Sequence, residues 1–136
     1  MDLSKFTERS RGFVQTAQTI AVREGHQKLG PEHLLKALMD DEQGLAANLI
    51  RRAGGAPERV LEAAEAALAK LPKVSGDGAG QIYLDTQTAK VLDEAEKLAK
   101  KAGDSFVPVE RILTALAVVR SPAKDALDAG AVSPQK

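Results

Sequence analysis

The chain has 136 residues, 43% of them hydrophobic, with no Cys and no Trp, so it fits one domain and excludes disulfides and thiol chemistry. Its 19 basic and 19 acidic residues balance, which argues against nucleic acid or an anionic membrane as partner, since both attract a basic excess. No apolar run is long enough to span a bilayer, and residues 1–7 lack the regions of a secretory signal, so a cytoplasmic location is expected.

The apolar residues are mainly Ala, Leu, Val and Ile, and Ala and Leu favour packed helices over a sandwich or barrel. Phe6, Phe13, Ala17, Ile20 and Ala21 recur at helical spacing and predict a first helix over about 5–24, capped by Ser4 and stopped at Gly25. Thr7 falls in its first turn, where a hydroxyl often bonds nearby backbone. Gly30-Pro31 starts a second helix with Leu34, Leu35 and Leu38 inward. Gly44 opens a third, carrying Leu45, Leu49 and Ile50, which Gly54-Gly55 ends. Pro57 starts a fourth with Val60, Leu61, Ala64 and Leu68 on one face.

Residues 72–80 carry three Gly in five positions, which predicts a loop between two lobes. Asp85 is a good cap for the next helix, whose stripe runs Val91, Leu92, Ala95, Leu98 and Ala99 and stops at Gly103. Pro108 starts another with Ile112, Leu113 and Leu116 inward. Ser121-Pro122 opens the third helix of the second lobe, which ends at Gly130.

The two lobes repeat at a constant offset, the one that carries Gly25 onto Gly103. At that offset Ala17 matches Ala95, Ala21 matches Ala99, Glu32 matches Glu110, and Leu35, Leu38 and Leu49 match Leu113, Leu116 and Leu127. With a slip of one or two positions, Ala53-Gly54 matches Ala129-Gly130 and Ala56-Pro57 matches Ser133-Pro134. The predicted fold is therefore all-α, two pseudo-two-fold-related four-helix repeats over about 1–71 and 85–136, joined by a loop at about 72–84. The final helix would begin near Pro134 and be truncated, leaving apolar surface uncovered.

No feature marks an enzyme. His26 and His33 offer too few ligands at fixed spacing for a metal. The glycines at 76–80 follow no strand and precede no Lys-Ser/Thr, so they are not a phosphate loop. Arg51-Arg52 and Lys100-Lys101 complement helix C-termini.

Gly-His-Gln-Lys-Leu-Gly-Pro-Glu-His-Leu-Leu at 25–35 and Leu-Ala-Lys-Lys-Ala-Gly-Asp-Ser-Phe-Val-Pro-Val-Glu at 98–110 together resemble the Clp N-terminal domain family. Leu-Pro-Lys-Val-Ser-Gly at 71–76 is similar to its ClpB-type branch. The resemblance implies a mobile, non-enzymatic appendage of a hexameric AAA+ disaggregase. Such a domain engages unfolded or aggregated clients, working with an Hsp70 system through the full-length protein. ATP and Mg would belong to ATPase modules outside this chain, and no cofactor is expected within it. The isolated domain is expected to be a monomer.

The family's polar substrate-handling positions correspond here to Thr7, Asp104 and Glu110. A shallow apolar groove between the repeats would be lined by Phe13 and Ala17 from the first lobe and by Val91 and Leu92 from the second. Glu94 and Arg111 depart from the pattern, since other members can carry apolar residues there. Glu110 and Glu32 also suit the N-terminal dipole of their helices. The alternative function is docking of a folded adaptor or degron, as in protease-associated Clp ATPases.

Overall fold

Helix-forming stripes bounded by Gly and Pro give seven helices among residues 3–73 and 82–132, which the computed structural model describes. They are α1 (Glu8–Arg23), α2 (Pro31–Met39), α3 (Leu45–Arg52), α4 (Pro57–Ala69), α5 (Thr86–Ala102), α6 (Val109–Val118) and α7 (Pro122–Ala129). The first helix begins later than the periodicity suggests, at Glu8 rather than near Lys5. Thr7, not Ser4, is its cap, accepting a hydrogen bond from the Ser10 amide at 3.1 Å. Thr7 stands outside the helix in extended conformation, because an N-cap must turn its side chain back onto the first turn. Gly25 and Gly103 both follow the stop of a repeat's first helix with positive φ, 73° and 83°, a conformation that favours glycine.

Two short strands join the helices: β1 (Lys28–Leu29) and β2 (Tyr83–Leu84) pair in parallel, Leu29 against Leu84. The repeat offset carries Leu29 onto Val107 and Phe6 onto Leu84. Phe6 and Val107 form a parallel bridge of their own, so it is the repeat's second copy of the same pairing. Each repeat thus pairs the segment before its own first helix with the segment before the other repeat's second helix. Two-residue strands carry too little alternation to be read from sequence.

The side chains repeat the pattern. The Ser10 hydroxyl donates to the Val107 carbonyl at 2.9 Å, and the Thr88 hydroxyl donates to the Leu29 carbonyl at 2.6 Å. The Thr7 and Asp85 amides reach the same two carbonyls, each at 3.1 Å.

One core serves both repeats. Val14, Ala17, Ile20, Leu34, Leu35 and Leu38 join Val91, Ala95, Ile112, Leu116 and Leu127 in it. The repeats interlock, because α4 packs against α7 of the second repeat as well as α2 of its own. At that junction the Gly130 Cα lies so close to Val60 and to the Ala56 carbonyl that no Cβ fits, while the Ala56 amide donates to the Gly130 carbonyl at 2.8 Å. The glycine-rich stretch at 74–81 and the helix expected from Pro134 lie outside the described residues.

Candidate functional site

The side chains proposed from sequence divide into four groups. Ala17 and Val91 are 0% exposed and Leu92 is 6% exposed. The helical stripe that made them candidates is the stripe that builds the core, so they offer no surface to a groove. Phe13 is half-buried in a separate hollow with Gly12, Thr16, Asp41 and Gln43, where the Arg9 guanidinium sits 5.9 Å from its ring centre. A continuous strip running Phe13–Ala17–Val91–Leu92 is therefore absent, which corrects the expected lining.

Thr7 and Asp104 both flank the Val107 segment of the seam. The Thr7 hydroxyl donates to Ser10 Oγ at 2.9 Å, and Ser10 passes the chain on to the Val107 carbonyl. The Asp104 carboxylate accepts from Arg111 Nε at 2.8 Å, so the unexpected cation at 111 holds the acid in place. Asp104 and Val107 line a hollow of about 570 Å³ with Lys5, Asp93, Glu96, Lys97, Lys100 and Phe106. Its walls carry three acids and three lysines, so no net charge selects the occupant. Phe106 is 56% exposed there. Sequence reasoning missed it. An aromatic in a loop between a glycine stop and a proline, outside any helical stripe and in a chain with only three Phe, was the available signal.

Glu110 is exposed in the first turn of α6 and borders a different hollow. That hollow lies between α3 and α6, lined by Leu49, Ile50, Leu113, Ala117 and Val132. By the repeat offset, this hollow is the second repeat's counterpart of the surface on which α4 packs in the first.

Glu32, the mate of Glu110, is 1% exposed, and its Oε1 has no hydrogen-bond partner among the described residues. It fits against Gly30, where a Cβ would collide with the carboxyl group. Burial pushes its carboxyl above the ordinary carboxylate range. His26 and His33 are also buried, with Nδ1 of the first 2.9 Å from Nε2 of the second. Burial holds both below the usual imidazole range, His33 down to about 4. No group of three or more metal-ligating side chains occurs among the described residues.

Known proteins share this arrangement. The Clp repeat (R) N-terminal domain family matches residues 5–129. The chain is 57% identical to the chaperone protein ClpB of Rhodopseudomonas palustris, over 99% of this chain and 16% of that protein. It is 56% identical to ClpB of Rhizobium meliloti, over 100% of this chain and again 16% of the relative. The chain thus spans about a sixth of these relatives' length. Among solved structures, the Hsp104 N-terminal domain from Candida albicans superposes with a TM-score of 0.82 at 25% identity, covering 97% of this chain and 85% of that one. The ClpV1 N-terminal domain from E. coli shares the fold at a TM-score of 0.78 and 19% identity, over 98% of this chain and 81% of that one. With a duplicated helical unit, a crosswise seam and this match along nearly its whole length, the chain belongs to the Clp repeat N-terminal domain family, in its ClpB-type branch.

Proposed function

We propose that this domain captures unfolded or aggregated polypeptide at the hollow beside Phe106. It would then pass the polypeptide to the AAA+ ring of a longer disaggregase, which acts in the cytoplasm with an Hsp70 system. The exposed Phe106 on a charge-balanced concave surface carries the reading. An unfolded client exposes apolar side chains together with unpaired backbone groups, and Phe106 can receive the former while the Lys and Asp rim receives the latter. Equal numbers of acids and bases suit clients of any sequence, and a shallow site favours release. Affinity on the order of micromolar or weaker is expected. Asp104 forms the rim and Thr7 supports the Val107 segment behind it, whereas Glu110 lies outside this hollow.

The test is an NMR titration of the labelled domain with a permanently unfolded protein. Fast-exchange amide shifts concentrated on Lys97, Asp104, Phe106 and Val107 are expected. Scattered shifts, or none, would overturn the reading. A slow-exchange one-to-one complex with a folded protein would replace it with adaptor docking.

A further inference from the structure

The loop between the first and second helices of each repeat is fastened to the helix that follows, and the two repeats fasten it differently. In the second repeat Asp104 holds Arg111. The repeat offset places His26 and His33 at the same positions in the first repeat. The residues that cap the helices explain the exchange. Arg111 and His33 are each the third residue of their helix. The cap of α6 is Pro108, which has no amide hydrogen, so Arg111 is free to donate to an acid. The cap of α2 is Gly30, whose amide donates to His33 Nδ1 at 3.0 Å.

That bond fixes every proton in the pair. A backbone amide can only donate, so His33 Nδ1 is an acceptor and the neutral ring carries its hydrogen on Nε2. His33 Nε2 therefore donates to His26 Nδ1 at 2.9 Å, and His26 carries its own hydrogen on Nε2. Both basic lone pairs are occupied. A proton added at His33 Nδ1 would expel the Gly30 amide. A proton added at His26 Nδ1 would face the His33 N–H. No protonated state keeps both bonds.

Gly30 directly follows β1, and the Leu29 carbonyl is where the Asp85 amide and the Thr88 hydroxyl attach the second repeat. We propose that His26 and His33 form a proton-operated latch, in which uptake of one proton frees the Gly30 amide and loosens the β1–β2 half of the inter-repeat seam. The Phe6–Val107 half, fastened through Asp104 and Arg111, stays closed.

The surrounding charges are mixed. Arg23 at the end of α1 and Glu24, its C-cap, border the hollow beside His26; Lys36 of α2, Glu65 of α4 and Lys73 complete its charged lining. Lys36 is held by Asp40 and Glu65. Lys28 of β1 acts on His33 and pairs with Asp85 across the seam, and Glu32 is the buried acid of the same helical turn. Burial and the Lys73 charge oppose a proton on His26, and Glu24 favours it; for His33, burial above all, then His26 and Lys28, oppose it and outweigh the backbone hydrogen bond at Gly30, which favours it.

The opened segment takes up protons near the ordinary imidazole value of 6.5, and the closed His33 only near about 4. The latch is complete above 6.5 and weakens as the pH falls toward 4. Glu32 acts in the opposite sense, since its raised value makes acid favour the folded state, and E32Q removes that contribution.

Hydrogen exchange of the wild-type chain and of E32Q at pH 7 and pH 5, corrected for intrinsic rates, tests the latch. Protection of the Gly30, Tyr83 and Asp85 amides should fall on the order of tenfold or more at pH 5, while Thr7 and Val107 keep theirs. Equal loss at both halves of the seam, or no loss, overturns the proposal. H33Q keeps an acceptor and a donor but cannot titrate at this position. It should remove the His33 part of the pH response of Gly30, and a folded H33Q that loses as much protection at pH 5 as the wild type also overturns the proposal. If H33Q does not fold, the wild-type and E32Q profiles decide alone.

Discussion

Glu32 and Glu110 occupy equivalent positions, the second residue of α2 and of α6, yet one is buried and the other exposed. The dipole favours an acid at either place, so the difference lies in desolvation. Glu32 is covered, and one of its oxygens lacks a partner among the described residues. Its contribution to stability is present below the ordinary carboxylate value of 4.5 and is lost as the pH rises through its raised one. Thermal unfolding should show E32Q more stable than wild type at pH 8, with the gap closing toward pH 4.5. Phe106 gives the opposite kind of test, since a half-exposed ring contributes little to the core. F106A should leave the unfolding midpoint nearly unchanged, within the ~0.5 kcal/mol usual for surface changes, while weakening capture of an unfolded client several-fold in a fluorescence-anisotropy titration. An equal fall in stability would show that the ring is structural.

Among the elements, α4 and α7 meet closely at Gly130. A methyl group at position 130 would press on Val60 and on the Ala56 carbonyl. G130A should therefore cost about 1–3 kcal/mol through overpacking, read as a lowered urea midpoint with an unchanged slope. The helices themselves are legible in the sequence. Pro31, Pro57 and Pro122 begin helices as their missing amides permit, and Gly25 and Gly103 follow the stops. The seam is not legible, because its strands are two residues long and each pairs with a segment far along the chain. The groove lining misleads for a related reason. A helical stripe shows that a residue faces something apolar, but it does not distinguish the core from a surface channel. His26 and His33 are too few for a metal, and their mutual bond depends on a turn geometry that spacing alone does not supply. Phe106 escapes notice because it belongs to no stripe.

For the whole molecule, the shared core decides how the domain comes apart. Because α4 of the first repeat rests on α7 of the second, and the seam is stitched at two symmetric places, neither repeat has a complete core alone. At neutral pH, unfolding should be one cooperative transition, with calorimetric and van't Hoff enthalpies in agreement. Two resolved transitions would show that the repeats are separable units.

The crosswise pairing also bears on assembly. One repeat carries both halves of the stitch, the segment before its first helix and the segment before its second. Two identical copies of such a unit can close on each other about a true two-fold axis, as the two halves of this chain do about an approximate one. The arrangement is therefore open to a dimer of single repeats as well as to one chain. Joined in one chain, the two halves can differ position by position, as where one holds a pair of imidazoles and the other an acid and a guanidinium.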